Sequence, residues 1–291
     1  MAKGNISKKT VVTAIIAVLI IAAIVAGICI HRYNKFMTPV KHKVESISFT
    51  QMSQNKELKL IAHRGLQAIA PENTLPAYDR AGEAGYWGAE CDIFRTSDGA
   101  WVLMHDDKVD RMTDGKGKVE EMTLEELKAL NIDNGNNLET YGTVKIPTLE
   151  EYLASCKSLN MNAFIELKSE NNTEHYDEVV KAVSEAGVEV TYISFFEDDL
   201  KAMRKLDEKA PMFLLVNKID DKAIETAKEI GNCGVDFNVS KKANLKNDGE
   251  AVKKLVDSGI PAAAWTVDDI ETMQTLVDLG VLYITTDCIT Y

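Results

Sequence analysis

The chain has 291 residues, of which 45% are hydrophobic, and its formal net charge is −12. That length is enough for a large domain with a full hydrophobic core, and the frequency of apolar residues excludes disorder for most of the chain. Residues 1–43 hold 7 of the 33 Lys and Arg residues and no acidic residue. Residues 44–291 therefore hold 26 basic and 45 acidic residues, a net charge of −19. A globular part this acidic excludes a nucleic-acid partner, because binding phosphates requires Lys and Arg.

The first predicted element is a single N-terminal transmembrane helix. Residues 11–30 carry no charge, and a helix of 20 residues spans roughly 30 Å, the thickness of the hydrocarbon core. The apolar run continues past a weak small-residue cleavage site, which favours an uncleaved anchor over a signal peptide. We predict a short tail (1–10), an anchor (11–30) and a polar tether (31–56). We expect a single-pass protein of the cell membrane whose globular part is extracytoplasmic.

Residues 57–291 show the alternation of β-rich and amphipathic helical runs that is typical of parallel-sheet α/β proteins. Eight such units in 235 residues match a (β/α)8 TIM barrel. A doubly wound sheet is the alternative, but the sequence lacks the Gly-rich phosphate-binding turn that usually marks that fold. The eight predicted strands are Leu58–Ala62, Gly88–Phe94, Ala163–Leu167, Glu189–Ser194, Met212–Val216, Val235–Val239, Ala262–Thr266 and Leu282–Thr285.

One interval departs from the repeat. After the second strand, the turn signal Thr96–Gly99 leads into another strand-like run, Ala100–Met104, and then into a polar stretch. We predict an insertion at about residues 95–147 that forms a β-extension and a small cap. Because active sites of such barrels lie at the carboxyl ends of the strands, we expect this insertion to overhang the site.

Acidic side chains in two neighbouring strands predict a metal site. Glu90 and Asp92 share one face of the second strand, and Glu166 and Lys168 share one face of the third. Carboxylates that point into a barrel repel one another and lose hydration, and a divalent cation compensates both effects. Three carboxylates suit Mg²⁺ or Ca²⁺. Lys168 can hold a phosphate oxygen, and a simple ion pair between Glu166 and Lys168 is the alternative.

Two histidines follow strand-like runs. His63 and Arg64 end the first strand, where barrel enzymes carry their catalytic groups, and His105 ends the β-extension. Two imidazoles beside carboxylates suggest general acid–base catalysis, because histidine gains and loses a proton near neutral pH. Glu72 lies just before a helix start and belongs either to that helix start or to the site.

Two aromatic residues also follow strands. Phe195 comes after the fourth strand and Trp265 lies at the end of the seventh, and each can line a substrate pocket or belong to the core. The other histidines lie beside the anchor or in a polar helix, so we predict that they are inert. They are His31, His42 and His175.

In this order and spacing, the motifs resemble those of the glycerophosphodiester phosphodiesterases. The resemblance covers residues 58–291, although the usual Asn after the Trp-Thr-Val motif is Asp268 here and the turn near the last strand is altered. The matching motifs are His63-Arg64-Gly65, Pro71-Glu72-Asn73-Thr74, Gly88-Ala89-Glu90-x-Asp92, Thr96-x-Asp98-Gly99, His105-Asp106, Ile165-Glu166-x-Lys168 and Trp265-Thr266-Val267.

The resemblance implies a TIM barrel with a small insertion after strand two and the metal-dependent hydrolysis of a glycerophosphodiester, a small-molecule substrate, to glycerol 3-phosphate and an alcohol. A phospholipase D-like activity on lysophospholipids and a non-catalytic membrane-tethered binding protein are the alternatives. The roles it implies are acid–base catalysis for His63 and His105, ligation of one divalent cation (Mg²⁺ or Ca²⁺) for Glu90, Asp92 and Glu166, phosphate contact for Arg64 and Lys168, and a place in the site for Glu72.

Overall fold

The computed structural model describes residues 20–28, 30, 37–47, 57–168, 170–239 and 242–291. It divides into two units, residues 1–39 and residues 40–291. In the first unit, residues 20–28 are helical. Within the described ranges, no helix has both the length and the apolar character needed to cross a bilayer. The rest of the predicted anchor, apart from residue 30, lies outside the described residues, as do residues 31–36 and 48–56 of the predicted tether.

Eight parallel strands of the second unit close into a barrel. The strands of this unit are β1 (Glu45–Ser46), β2 (Lys59–Ala62), β3 (Gly88–Arg95), β4 (Trp101–Leu103), β5 (Asn162–Leu167), β6 (Val190–Ser194), β7 (Met212–Val216), β8 (Cys233–Asn238), β9 (Ala262–Trp265), β10 (Tyr283–Thr286) and β11 (Ile289–Thr290). The order in the barrel is β2-β3-β5-β6-β7-β8-β9-β10, and β10 pairs again with β2. The predicted TIM barrel is confirmed. The helices of this unit are α1 (Leu75–Glu83), α2 (Leu124–Ala129), α3 (Leu149–Ser158), α4 (Tyr176–Ala186), α5 (Glu197–Leu206), α6 (Asp221–Ile230), α7 (Lys242–Asp257) and α8 (Ile270–Asp278).

The strands separate an outer core from the barrel interior. Side chains alternate between the two faces of a strand, so Cys91 and Ile165 pack in the main core while Phe164 and Phe213 form a smaller cluster of buried residues with other inward-facing side chains. Because the same alternation operates in β3 and β5, the acidic residues of these strands share the inner face, as the sequence predicts.

The interval after β3 forms a compact addition to the barrel. β4 pairs antiparallel with β3, and a separate hydrophobic cluster that includes Val109 and Leu127 holds the addition together. Helix α2 begins with a capping box, in which Thr123 and Glu126 satisfy each other's backbone N–H groups. The addition therefore has a fixed shape and can hold polar side chains against the carboxyl ends of the barrel strands.

The structure differs from the predicted tether at residues 40–47, which belong to the barrel unit. β1 pairs parallel with β11, with Glu45 opposite Ile289 and Ser46 opposite Thr290, and Ile47 is buried. A strand of two residues is too short for the alternation of apolar and polar side chains to appear in the sequence. The polar segment that precedes the barrel is therefore held along β11, the strand that follows the last barrel strand.

Candidate active site

A cavity of about 210 Å³ opens at the carboxyl ends of the barrel strands. Eight of the ten predicted site residues line it, and the other two, Asp92 and Glu72, contact cavity-lining residues through ion pairs. The structure thus brings the predicted set together. The eight lining residues are His63, Arg64, Glu90, His105, Glu166, Lys168, Phe195 and Trp265.

The three predicted metal ligands form one cluster. One carboxylate oxygen from each of Glu90, Asp92 and Glu166 lies within 4.8 Å of the other two, and all three residues are buried. Burial, together with the charges of the other two carboxylates, raises the pKa of Glu90 well above its usual range. Burial and the charge of Asp92 raise the pKa of Glu166 to about 7. Without a cation, ionising all three carboxylates at once is therefore unfavourable.

Basic groups offset part of this charge at Asp92. Burial alone would raise the pKa of Asp92, but the charges of Lys168, His105 and Arg64 lower it below its usual range. Lys168 Nζ lies 3.3 Å from Asp92 Oδ1 and 3.0 Å from Glu166 Oε1. Asn73 Nδ2 donates a hydrogen bond of 2.7 Å to Asp92 Oδ2. Asp92 is therefore ionised and fixed in position.

Glu90 completes a donor set that suits a hard cation. The backbone N–H of Arg64 donates to Glu90 Oε2 at 2.7 Å, whereas Glu90 Oε1 is buried and has no hydrogen-bond partner among the described residues. A buried carboxylate oxygen without a partner is costly, and a cation would satisfy it. Three buried carboxylates with oxygen atoms in this spacing fit Mg²⁺ or Ca²⁺.

The backbone after β2 explains why a glycine stands at position 65. Both Arg64 and Gly65 have positive φ angles, 55° and 79°. A Cβ atom on Gly65 would lie 2.6 Å from the Cβ of Ala77 in α1, which only glycine avoids. The tight turn lets the chain pass over α1 and directs the Arg64 N–H to Glu90.

Glu72 links Arg64 of the cavity wall to Arg111 of the insertion. Arg64 Nη1 donates to Glu72 Oε1 at 3.0 Å, and Arg111 Nη2 donates to the same oxygen at 2.6 Å. Helix α1 has Thr74 as its N-cap residue, so the network at the site, rather than a cap, accounts for Glu72. Arg111 was missed in the sequence, because it lies in a short polar turn of the insertion with no periodic pattern around it.

The insertion also supports His105. Asp106 Oδ1 lies 2.8 Å from His105 Nδ1, and Arg111 Nε donates to Asp106 Oδ2 at 2.7 Å. Burial lowers the pKa of His105, which favours a neutral imidazole. Because Nδ1 faces Asp106, Nε2 is the nitrogen that remains for a ligand in the cavity.

His63 has a carboxylate support of its own. Its Nδ1 lies 2.7 Å from Asp287 Oδ1, and Gln67 Nε2 donates to the same oxygen at 2.7 Å. Asp287 follows β10 and was missed in the sequence. Its only signal was its place directly after a strand end, where barrel enzymes carry functional groups. Each of the two cavity histidines therefore has an aspartate at Nδ1.

His42, which the sequence predicts to be inert, contacts the carboxylates that lie behind His63. Its Nε2 lies 3.2 Å from Asp287 Oδ2, and its Nδ1 lies 3.8 Å from Asp268 Oδ2. The hydrogen bond to Asp287 is the largest of the effects that raise the pKa of His42 to about 10. The pairing of β1 with β11 holds the segment that carries His42, and sequence reasoning did not find that pairing. His175 instead lies beside Glu174 and Glu178, and it is not among the residues that line the cavity.

The two aromatic residues meet at the cavity. The ring centroids of Phe195 and Trp265 are 5.6 Å apart with an angle of 88° between the planes. Phe195 is 37% exposed, and Trp265 also packs against the inner cluster of the barrel. Both alternatives stated for Trp265 therefore hold, because one part of its ring system is core and another part is pocket wall.

Known proteins are similar to this chain in sequence and structure. Residues 63–290 match the model of the glycerophosphoryl diester phosphodiesterase family. Glycerophosphodiester phosphodiesterase 1 of Homo sapiens is 45% identical over 112 residues, which are 38% of this chain and 34% of that protein. The chain spans between a third and a half of the length of this protein and of its rat and mouse counterparts.

Bacterial proteins match over more of their length. A glycerophosphodiester phosphodiesterase of Caldanaerobacter subterraneus subsp. tengcongensis is 32% identical over 78% of this chain and 93% of that protein. An Oleispira antarctica phosphodiesterase, solved in complex with the product sn-glycerol-3-phosphate, is 27% identical with a TM-score of 0.69, over 80% of this chain and 94% of that one. Since the family model matches most of the chain, the chain belongs to the glycerophosphoryl diester phosphodiesterase family.

Proposed function

We propose that the protein hydrolyses small glycerophosphodiesters to glycerol 3-phosphate and an alcohol. The observation that carries this proposal is one cavity lined by His63, His105 and a cluster of three buried carboxylates. Relatives named glycerophosphodiester phosphodiesterases support the reaction. The Oleispira antarctica phosphodiesterase in complex with sn-glycerol-3-phosphate supports the substrate class.

Glu90, Asp92 and Glu166 would hold one divalent cation, Mg²⁺ or Ca²⁺. Their oxygen-only donor set and the unsatisfied Glu90 Oε1 support this assignment. When bound, the cation supplies positive charge for the non-bridging phosphate oxygens and lowers the free energy of the charge that develops on them.

Arg64 and Lys168 would bind the phosphate. Both line the cavity, and Lys168 remains charged despite its burial, because the charges of Asp92 and Glu166 raise its pKa. The planar guanidinium of Arg64 can contact two phosphate oxygens at once. Glu72 accepts a hydrogen bond from Arg64 and holds its guanidinium in place. These contacts orient the diester between the two imidazoles.

Proton transfer then falls to the histidines. One imidazole takes a proton from the nucleophile, and the other gives a proton to the oxygen of the leaving alcohol. Asp106 and Asp287 orient the rings through Nδ1 and stabilise the imidazolium form. The nucleophile is water or a neighbouring hydroxyl of the substrate.

We also propose that residues 11–30 anchor the protein in the cell membrane, with the barrel outside the cytoplasm. The uncharged run of 20 residues supports this proposal. Protease treatment of intact cells tests it, since an extracytoplasmic barrel is digested from outside and a cytoplasmic one is protected.

The catalytic proposal is tested on the purified full-length chain with glycerophosphocholine. Release of glycerol 3-phosphate should stop with EDTA and return with Mg²⁺ or Ca²⁺, and His63→Ala and His105→Ala should each lower kcat by about 10²–10⁴-fold. His175→Ala is the matched control and should retain activity. Lysophosphatidylcholine is the parallel substrate for the phospholipase alternative. A wild-type chain that hydrolyses neither compound with any cation contradicts the proposal.

A further inference from the structure

Arg111 connects two carboxylates that support the site, although it is not among the residues that line the cavity. Its guanidinium donates to both carboxylate oxygens of Glu72, at 3.0 and 2.6 Å, and to both of Asp106, at 2.7 and 3.2 Å. The side chain of Arg111 is 12% exposed, and those of Glu72 and Asp106 are 12% and 15% exposed. The mechanism above gives this largely buried bridge no role.

Each of the two carboxylates shares one oxygen with a residue of the cavity wall. Glu72 Oε1 accepts from Arg64 Nη1 at 3.0 Å as well as from Arg111 Nη2. Asp106 Oδ1 lies 2.8 Å from His105 Nδ1 and also accepts from Arg111 Nη2. A continuous chain of contacts therefore runs from Arg64 through Arg111 to His105. A displacement of Arg111 would move a phosphate-binding group and a histidine of the acid–base pair together.

The insertion holds the backbone of Arg111. Arg111 ends a short 3-10 turn that begins at Val109, and Val109 is fully buried in the hydrophobic cluster of the insertion. Asn134 Nδ2 donates a hydrogen bond of 2.8 Å to the carbonyl oxygen of Arg111. The separate core of the insertion thus sets the position from which the guanidinium reaches the site.

The bridge requires a guanidinium. Its planar fork can meet two carboxylates with paired hydrogen bonds, whereas the ammonium group of lysine is a single point charge. Buried ion pairs give little net stability, because the cost of desolvation offsets the attraction. Stability alone is therefore a weak reason for a buried bridge, and its contacts with two groups of the site indicate a role in positioning them.

We propose that Arg111 is a positioning residue, through which the insertion fixes the imidazole of His105 and the guanidinium of Arg64 relative to each other. This inference rests on the proposed function and extends it, because it gives the insertion a part in the reaction without a contact to the substrate. The two groups act on the same diester, so a change in their separation disturbs both binding and proton transfer.

The test measures kcat and KM for glycerophosphocholine with the full-length chain. Arg111→Lys keeps the positive charge and loses the fork. It should lower kcat by about 10–100-fold, the cost of a small misplacement of a catalytic group, and should raise KM through Arg64. Arg95→Lys is the matched control, since Arg95 also donates two hydrogen bonds to one glutamate, Glu178, and is not among the residues that line the cavity. It should keep kcat within about twofold of the wild type.

A double-mutant cycle checks that Arg111 acts through the imidazole. In a chain that already carries His105→Ala, Arg111→Lys should lower the remaining kcat by no more than about threefold, because the group that Arg111 positions is gone. An equal loss with and without His105 marks a structural role and overturns the proposal. A wild-type kcat in Arg111→Lys also overturns it.

The two arms of the bridge can be tested without a change at Arg111, which decides the question if Arg111→Lys does not fold. Asp106→Asn should mainly lower kcat, and Glu72→Gln should mainly raise KM. Wild-type constants in both variants overturn the proposal. A wild type that is inactive on glycerophosphocholine with every cation instead contradicts the proposed function.

Discussion

Two clusters of titratable groups lie at the carboxyl end of the barrel, and they differ in how their charge is balanced. In the first, Glu90, Asp92 and Glu166 place ligand atoms within 4.8 Å of one another, and in the second, His42, Asp268 and Cys288 do the same. We count Asp287 with the second cluster, because its carboxylate pairs with His42 and its backbone N–H donates to Asp268. By spacing alone, either cluster could hold a cation. The distribution of charge, rather than the spacing, separates a metal site from a structural network.

In the first cluster, burial raises the pKa of Glu90 and Glu166, and the charges of Arg64 and Lys168 offset this rise only in part. In the second, Asp287 already has two imidazole partners. The charges and hydrogen bonds of His63 and His42 lower the pKa of Asp287 despite its burial. In the first cluster, a divalent cation would stabilise the ionised carboxylates. In the second, it would displace His42 from its partner Asp287. We therefore propose that the cation binds to the first cluster.

The largest expected effect comes from replacing one aspartate of the first cluster by asparagine, and the same replacement in the second cluster is its control. Asp92→Asn should lower kcat/KM for glycerophosphocholine by about 10³-fold, because it removes a charged ligand of the cation. It should also abolish the rise in Tm that Mg²⁺ or Ca²⁺ causes by binding the folded state. Asp268→Asn is the matched control. It should stay within about threefold of the wild type, since an amide oxygen can still accept from the backbone N–H of Asp287. A cation-induced rise in Tm that is lost in Asp268→Asn instead would reverse the assignment.

A smaller effect is expected where the second cluster supports catalysis. Asp287→Asn should lower kcat by about 10²-fold, because an amide can neither fix the Nδ1–H tautomer of His63 nor stabilise its charged form. KM and the cation-induced rise in Tm should remain close to the wild-type values. Steady-state kinetics and thermal unfolding check these expectations, and a variant that loses cation binding would show that Asp287 belongs to the first cluster.

The first cluster could be predicted from the sequence and the second could not. The ligands of the first cluster lie in strands, where the alternation of side chains predicts which residues share a face. The family motifs include the same positions, Glu90, Asp92 and Glu166. Asp287 lies 224 positions after His63. His42 lies near Asp287 because β1, a strand of only two residues, pairs with β11. Contacts between distant, irregular segments leave no periodic signal in a single sequence. For the same reason, the contacts of Arg111 with Glu72 and Asp106 could not be predicted.

His42 should contribute less than Asp287, because it acts on His63 only through that carboxylate. His42→Ala should lower kcat by about threefold to tenfold, the effect of losing one partly exposed charged hydrogen bond. His42→Gln, which retains a donor, should recover part of the loss, and His175→Ala should have no effect. A purified fragment that begins at residue 44 lacks His42 and should show the same loss as His42→Ala. Full activity of that fragment would exclude a role for His42 in positioning.

The smallest expected effect is on stability. The pKa of His42 rises from 6.5 to about 10 on folding, so the folded state binds its proton more tightly. The resulting stabilisation is complete below about pH 6.5 and disappears as the pH rises through about 10. Because His42 is partly exposed, solvent screening limits the difference in Tm between the wild type and His42→Ala to about 1–3 °C at pH 6. Thermal unfolding across pH 6–10 should show this difference shrinking. A difference that does not change with pH would mean that His42 stabilises the second cluster by packing rather than by its charge.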